Sequence, residues 1–510
     1  MPDRDSDAKS IENDLFDSLE EVTRGSGIGF VGLLLGKSTS LGQHVLIAQF
    51  LGATGYGMFA LGRAVMNIGQ MIAKVGMDTG IVHFVSRARE QNDEERGWNF
   101  FSTAFYHSLL TSFVMGLLIV VGAPFITTWF GEKEMTGTLR YFGVALIPYT
   151  LLQITVSLFM ARKEIVMHQA IHRVATPLCK FLMIGAVLLL GYGIEMVILA
   201  FAIAGTVMVA TTLLIIQKRY PEYLCRSIQD FRPLTLFRYS ASVWLSNVGT
   251  MVFQRIDRIF IGYFYPVASV GIYNVCAIIG MNLMFFDDAS RPIIKPVLSE
   301  GYKRYTKEQF AHLYRTVMRW VFSSTFLLLL PVIVFPNLIL GLFGTDFQDA
   351  TNVLMIFLTY TLVSVLFGHT VTNLKLTGHQ DIELFNSALG VVLVILLNLL
   401  LIPPFGVVGA AAGTLVSFFL LETLRSFEIS SYQGFHPFTR PYITLCSVLI
   451  GIGVLTYFCT VNQSSPLSRG AILLASTSLS GLVLYIYATD EDWRLINKAR
   501  NWLWARVRPW

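Results

Sequence analysis

Charged residues are scarce in this chain of 510 residues: Asp, Glu, Lys and Arg make up 14% of it, whereas 54% is hydrophobic. Ordinary soluble domains are about one quarter charged. With a mean hydropathy of +0.59, the composition excludes a soluble domain of useful size. It predicts an all-α polytopic membrane protein, a class in which phenylalanine and glycine, here 38 and 41 residues, are used freely.

Cysteine is rare as well, and the five cysteines stand singly, with no CxxC pair and no Cys/His cluster. The sequence therefore indicates neither a disulfide framework nor a metal site, and we expect no cofactor. It also contains no recognisable Ser/His/Asp set, Walker sequence or phosphate-binding glycine loop. We do not expect an enzyme. The acidic first 24 residues lack the features of a cleavable signal peptide, so insertion is expected to start from the first membrane helix.

Long apolar runs predict fourteen transmembrane helices, since a hydrocarbon core of about 30 Å needs roughly 20 apolar residues. The predicted spans lie near residues 27–50, 57–85, 99–123, 139–160, 174–191, 196–217, 239–261, 270–286, 317–340, 350–373, 384–402, 406–427, 442–459 and 470–487. Short loops after even-numbered spans hold 19 Lys and Arg residues, and loops after odd-numbered spans hold 2. Because cationic loops resist translocation, both termini are predicted to be cytoplasmic.

Two short patterns recur at almost the same offset. Residues 57–59 (Gly-Met-Phe) open span 2, and residues 271–273 (Gly-Ile-Tyr) open span 8, 214 positions later. Residues 192–194 (Tyr-Gly-Ile) precede span 6, and residues 405–407 (Phe-Gly-Val) precede span 12, 213 positions later. Chance recurrence is the alternative, but two matches favour two six-helix repeats. Such repeats enter the membrane in the same direction and form two lobes around a central cleft.

The predicted organisation follows from these repeats. It comprises an acidic cytoplasmic N-terminal segment 1–24, an N-lobe 25–220, a cytoplasmic linker 221–238, a C-lobe 239–428, the added spans 13 and 14 in 429–488, and a basic interfacial helix 489–510. In this last helix Trp493, Trp502 and Trp504 alternate with basic residues, as in helices that lie on a membrane surface. Nucleic-acid binding is the alternative for such a stretch, but its place directly after a span argues against it.

Three passages resemble a known family. They are residues 50–90, residues 254–276 (QRIDRIFIGYFYPVASVGIYNVC) and residues 396–420 (LLNLLLIPPFGVVGAAAGTLVSFFL). They are similar to O-antigen translocase-like polysaccharide and oligosaccharide flippases of the multidrug/oligosaccharidyl-lipid/polysaccharide exporter superfamily. The likeness extends over nearly the whole chain, and Asp257 matches the aspartate that recurs in span 7 of that family.

The resemblance implies a transporter of the cell membrane that works by alternating access. Its expected substrate is a polyprenyl- or dolichyl-(pyro)phosphate-linked oligosaccharide, exported for surface polysaccharide or glycoprotein glycan assembly. Basic side chains of the cavity are expected to engage the phosphate. The implied partners are membrane lipids, the lipid-linked glycan and glycosyltransferases of the same pathway.

Ionisable side chains inside the spans form the candidate site, because a charge at the bilayer centre costs at least about 2.5 to 3.5 kcal/mol. The candidate phosphate ligands are Lys37, Arg63, Lys180, Arg255 and Arg258. Lys37 lies about eleven residues into span 1, so its stem cannot carry the charge to either surface. Together with Lys180 it is expected to face a wet cavity, the alternative being a pair with a carboxylate such as Asp78.

Three further residues are candidates for ion pairs or for coupling to an ion: Lys74, Asp78 and Asp257. Lys74 and Asp78 are spaced i, i+4 on one helix and are expected to pair. Asp257 points away from the face that Arg255 and Arg258 share. The group is therefore expected either to form a local cluster in which Asp257 neutralises an arginine across helices or to bind a ligand, and the resemblance to the family favours a structural ion pair. A third set ends span 8 at the cytoplasmic mouth, where it is either solvated or part of a gate: Asp287, Asp288 and Arg291.

Two other functions compete with glycan export. A cation-coupled multidrug antiporter would need carboxylates in its cleft, whereas the eight candidates named above inside the spans comprise six basic and two acidic residues. A membrane glycan polymerase or glycosyltransferase usually needs a substantial outer loop, and the longest one here has about fifteen residues. Asn462 lies in a sequon on a predicted outer loop, and its modification would establish the side of that loop.

Overall fold

The computed structural model describes residues 4–221, 233–291, 306–461, 463 and 465–488, and every regular element in these residues is helical. A π-helical turn, Ala170–Ala175, joins the fifth and sixth helices, and a 3-10 turn, Thr345–Ala350, precedes the twelfth. The helices are α1 (Arg4–Lys74), α2 (Met77–Glu90), α3 (Glu94–Trp129), α4 (Met135–Ala161), α5 (Ile165–Gln169), α6 (Thr176–Leu189), α7 (Ile194–Arg219), α8 (Pro233–Phe264), α9 (Val267–Leu283), α10 (Lys307–Val334), α11 (Pro336–Gly341), α12 (Thr351–Phe367), α13 (Thr370–Leu376), α14 (Gln380–Gln433), α15 (Arg440–Val461) and α16 (Pro466–Ile486).

Ten helical segments in the described residues are long and apolar enough to cross a membrane, or eleven if the bent pair Val267–Leu283 and Phe285–Arg291 is one span. Two of them, Gly32–Glu90 and Gln380–Gln433, hold 59 and 54 residues, more than twice the roughly 20 that one crossing needs. The prediction of an all-α protein with many spans is confirmed. The count of fourteen stays a prediction.

Both overlong helices are broken by a glycine. Gly52 has φ 64° and ψ −174°, and Gly406 has φ 57° and ψ −133°, conformations that glycine adopts at little steric cost. After the first break the backbone N–H of Ala53 donates to Oδ2 of Asp346 at 3.0 Å. A carboxylate stabilises a new helix start in this way. The breaks lie where the sequence predicts the change from span 1 to span 2 and from span 11 to span 12.

The chain divides into two compact units. Unit 1 consists of Met1–Asn282, Leu340–Phe357 and His379–Leu421, and unit 2 of Leu283–Ile339, Leu358–Gly378 and Glu422–Trp510. Unit 2 has an aromatic core that includes Phe322, Phe326 and Tyr442. The bounds of these units differ from those of the predicted N-lobe and C-lobe, which are based on the sequence repeats. The two lobes stay a prediction.

Several predictions concern chain ends and loops. The predicted acidic segment 1–24 is helical from Arg4 onward. Most of the linker 221–238, the segment 489–510 and Asn462 lie outside the described residues, so their predicted roles stay predictions.

Helices α1 and α9 cross with their backbones in contact. A Cβ atom at Gly57 would lie 2.0 Å from the carbonyl oxygen of Val267, and one at Gly271 would lie 2.3 Å from that of Ala53. At an offset of 214 residues, Ala53 is equivalent to Val267 and Gly57 to Gly271. Each glycine therefore faces the position equivalent to the one that the other glycine faces, which is the reciprocal contact expected of the predicted repeats.

We predict that Gly57→Ala and Gly271→Ala each destabilise the protein by about 1–3 kcal/mol or more, because the added methyl group meets backbone that cannot move aside. The measurement is the midpoint of thermal unfolding in detergent. Gly451→Ala on α15 is the matched control, since a Cβ atom there meets no atom within 4 Å. Equal midpoints for Gly57→Ala and Gly451→Ala would show that the crossing is not tight.

Candidate functional site

A chain of hydrogen bonds begins on α1. NH1 of Arg63 lies 3.3 Å from Nε2 of His44, and the Tyr56 hydroxyl lies 3.0 Å from Nδ1 of the same imidazole. Twelve residues of continuous helix would separate His44 and Tyr56 by about 18 Å. The break at Gly52 therefore brings the two halves of α1 together around this histidine.

The chain of hydrogen bonds continues through α9 to α8. Nδ2 of Asn274 donates to the Tyr56 hydroxyl at 2.8 Å, and Nε of Arg258 donates to Oδ1 of Asn274 at 2.9 Å. NH1 of Arg258 contacts Oδ1 of Asp257 at 3.0 Å, and Oδ2 of Asp257 accepts from the Tyr273 hydroxyl. The ion pair is buried, with side chains 8% and 4% exposed. We call these seven residues the polar chain: Arg63, His44, Tyr56, Asn274, Arg258, Asp257 and Tyr273.

Asp257 forms the structural ion pair that the resemblance favours. Its ion-pair partner among the described residues is not an arginine of another helix but Arg258, its neighbour in the chain. Its Oδ1 also accepts the backbone N–H of Arg258 at 2.8 Å, which turns the carboxylate towards that residue. The contact across helices is made instead with Tyr273 of α9.

The polar chain links equivalent positions of the two repeats. At the offset of 214 residues, Gln43 and His44 in α1 correspond to Asp257 and Arg258 in α8. All four side chains are buried. One repeat thus carries a neutral amide and an imidazole where the other carries an ion pair, and Tyr56 and Asn274 connect the two.

Two cations share one aromatic ring in unit 1. The guanidinium carbon of Arg63 lies 5.8 Å from the centre of the Phe201 ring, and Nζ of Lys180 lies 5.9 Å from it. Nζ of Lys180 is also 5.7 Å from the Tyr149 ring, which stacks on Phe201. Such cation–π contacts stabilise a charge only partly. Both cations are half-buried, and neither has an ion-pair partner within the described residues.

Lys37 lies at a contact between α1 and the π-helical turn. Its Nζ donates to the carbonyl oxygen of Met281 at 3.3 Å, and its side chain is half-buried. The preceding residue, Gly36, packs so closely that a Cβ atom would lie 2.0 Å from the carbonyl oxygen of Arg173 in the turn. π-Helical turns are frequent at functional sites, and this one approaches the part of α1 that carries a predicted ligand.

A separate polar cavity of about 260 Å³ lies among α1, α2, α4 and α8. Nζ of Lys74 contacts Oδ2 of Asp78 at 2.8 Å and Oε1 of Gln153 at 2.9 Å, so Lys74 and Asp78 pair as their spacing predicts. The lining side chains that can form hydrogen bonds are Asn67, Gln70, Lys74, Asp78, Thr79, Gln153, Trp244 and Arg255.

The predicted gate residues belong to unit 2. Arg291 contacts Asp287 at 2.8 Å and Asp288 at 3.7 Å, and Nε2 of His369 lies 3.6 Å from Asp287. Asp287 is buried, with 4% of the residue exposed. The three residues therefore form a local ion-pair group that His369 extends. Their role as a cytoplasmic gate stays a prediction.

Sequence reasoning missed four members of the polar chain. His44 carried a usable signal, because a titratable side chain within a span is a functional candidate. Tyr56, Tyr273 and Asn274 are neutral and carry no such signal. In the part of the chain that the structure describes, no group of three or more His, Cys, Asp or Glu side chains could hold a metal ion.

Comparison with known proteins places this geometry in context. The chain is 26% identical over 450 residues to the probable low-salt glycan biosynthesis flippase Agl15 of Haloferax volcanii. The aligned region covers 86% of this chain and 87% of the relative. The fold resembles the lipid II flippase MurJ in an inward closed conformation, with a TM-score of 0.71, 13% identity, and coverage of 89% of this chain and 98% of MurJ.

A second solved structure is similar over much of its length. It is an inward-facing multidrug resistance transporter of the MATE family, with a TM-score of 0.58, 14% identity, and coverage of 82% of this chain and 98% of the transporter. At these identities the solved structures establish the fold alone. The sequence profile of one family matches residues 22–286, more than half of the chain. The chain belongs to this family, the polysaccharide biosynthesis proteins.

Proposed function

We propose that the protein is a flippase that moves a polyprenyl- or dolichyl-(pyro)phosphate-linked oligosaccharide across the membrane by alternating access. One observation carries the proposal: Arg63 and Lys180 are half-buried around the ring of Phe201 without a carboxylate partner in the described residues. Two such cations inside a membrane protein would be stabilised by an anion that neutralises their charge. The name of the relative from Haloferax volcanii, a probable glycan biosynthesis flippase, supports a lipid-linked glycan as the source of that anion.

A phosphate group suits these cations chemically. Ammonium and guanidinium groups donate charge-assisted hydrogen bonds to phosphate oxygens, and these bonds are about twice as strong as neutral ones. Lys37 and Arg63 are the leading ligands, with Lys180 beside Arg63. Arg258 has a different role, because Asp257 and Asn274 already hold its guanidinium. The glycan would occupy the wet cleft while the prenyl tail remains in lipid.

The setting of this activity is part of the proposal. The protein lies in the cell membrane with both termini in the cytoplasm, as the distribution of Lys and Arg over the loops predicts. Glycosyltransferases that complete the glycan on the cytoplasmic side would supply its substrate. The exported glycan would serve surface polysaccharide or glycoprotein assembly.

A cation-coupled multidrug antiporter is the rival with a related fold. It would need available carboxylates to attract cations, but Asp78 is paired with Lys74 and Asp257 with Arg258. The balance of charge therefore favours an anionic substrate. Transport in vesicles with and without an ion gradient would show whether an ion is coupled to translocation.

We predict that Arg63→Gln and Lys180→Gln each slow the flipping of a labelled prenyl diphosphate sugar in proteoliposomes at least about tenfold. Losing one hydrogen bond to a charged group costs about 1.5–3 kcal/mol. Lys218→Gln is the matched control, since Lys218 is exposed on α7. If Lys37→Ala and Arg63→Ala proteins at normal abundance support full surface glycan assembly, these residues are not the ligands.

We predict that Asp257→Asn destabilises the protein by about 3–5 kcal/mol, because it leaves the buried guanidinium of Arg258 without its counter-charge. Asp78→Asn should cost less than about 1 kcal/mol, since the pair with Lys74 is partly exposed. Thermal unfolding in detergent measures both. An Asp257→Asn protein that keeps its unfolding midpoint but no longer responds to an ion gradient would instead make Asp257 a coupling residue.

A further inference from the structure

The polar cavity among α1, α2, α4 and α8 is lined by two amide nitrogens that have no hydrogen-bond partner among the described residues. Nδ2 of Asn67 and Nε2 of Gln70 are both buried, and neither donates to any described protein atom. Gln70 is only 6% exposed, yet it lines the cavity. A buried donor without a hydrogen-bond partner is energetically unfavourable. These two donors therefore point to a ligand that brings hydrogen-bond acceptors.

Trp244 supplies an apolar wall to the same cavity. Its Nε1–H donates to the carbonyl oxygen of Met71 at 2.8 Å, which holds the indole in one orientation. Trp244 also lies against the start of α2, where a Cβ atom added at Gly76 would be 3.2 Å from the Cβ atom of Trp244. A ring held in this way offers a flat apolar surface beside the amide groups.

The charges of the cavity indicate where its ligand joins the rest of the substrate. The ammonium of Lys74 is neutralised by Asp78, so this pair has no net charge to attract a phosphate. Arg255, which is half-buried, also lines the cavity and interacts electrostatically with Arg63, Arg258 and Asp257. The cavity therefore combines neutral amide groups and a neutral ion pair with one arginine that interacts with Arg63.

We propose that this cavity is a carbohydrate subsite, in which Asn67, Gln70 and Gln153 bind the hydroxyl or carbonyl oxygens of a sugar ring and Trp244 packs against its C–H face. The proposal rests on the proposed function and extends it: the protein recognises the sugar next to the phosphate, while Arg255 lines the same cavity and interacts electrostatically with Arg63. Neutral amides can bind the polar groups of a sugar ring and an aromatic ring can pack on its C–H face, whereas the neutral pair of Lys74 and Asp78 gives a second phosphate no net attraction.

The test compares the dissociation constants of four synthetic lipids for the purified protein in detergent. These are a bare prenyl diphosphate and the same lipid carrying one hexose, one N-acetylhexosamine or one hexuronic acid. At least one sugar-bearing lipid should bind about tenfold more tightly than the bare lipid, since the sugar adds hydrogen bonds to the two unpartnered amide nitrogens. If none of the three binds more tightly than the bare lipid, the subsite does not exist.

Variants test the named residues. Gln70→Leu and Asn67→Leu should each reduce the preference for the sugar at least about threefold and leave the affinity for the bare lipid unchanged. Both should fold, because replacing an unpartnered buried amide with an apolar group removes a penalty. Gln217→Leu, at an exposed position of α7, is the matched control and should keep the full preference. Equal losses for bare and sugar-bearing lipids would overturn the assignment.

The bare lipid separates the two proposals. If it fails to bind the wild-type protein, the proposed function is wrong and the subsite falls with it. If it binds, and Arg63→Gln weakens its binding, the flippase proposal is supported whatever the sugars show. The subsite then depends only on the preference of the wild-type protein for a sugar and on the loss of that preference in Gln70→Leu.

Discussion

A charged group within a membrane must be held by the protein itself, since hydrocarbon cannot solvate it. In unit 1 the polar chain meets this requirement for Arg258, which contacts both Asp257 and Asn274. The same chain reaches Arg63 through His44, but that contact supplies no counter-charge. Arg258 therefore has a carboxylate partner and Arg63 has none among the described residues, and the proposed function assigns the substrate phosphate to Arg63 on this difference.

The polar chain depends on two backbone features. The break at Gly52 returns the second half of α1 towards the first, so that Tyr56 can reach His44. The close crossing of α1 and α9 places Asn274 beside Tyr56. Larger residues in place of Gly57 and Gly271 would separate α1 from α9 by the thickness of a side chain. The glycine patterns that first suggested a repeat therefore also bring its polar groups within hydrogen-bonding distance.

Features that depend on residues close together in the sequence could be predicted from it. Hydropathy located the helices and the two breaks, and the i, i+4 spacing anticipated the pair of Lys74 with Asp78. Contacts over long separations were not accessible in this way. Tyr56 and Asn274 are 218 residues apart, and neither bears a charge that would have made it conspicuous in a span. The ion pair of Asp257 was expected, but its partner could not be predicted, because helical spacing describes side-chain direction and not a hydrogen bond to the next backbone N–H.

The carboxylate of Asp346 has a consequence for how the protein is made. It accepts the N–H of Ala53 from a position 293 residues further along the chain. At about 5–20 residues per second, the ribosome needs roughly 15–60 s to synthesise the interval between them. During that time the helix that starts at the first glycine break has been made without its cap. The backbone N–H of Ala53 therefore obtains this hydrogen-bond acceptor only after the chain has been synthesised as far as Asp346.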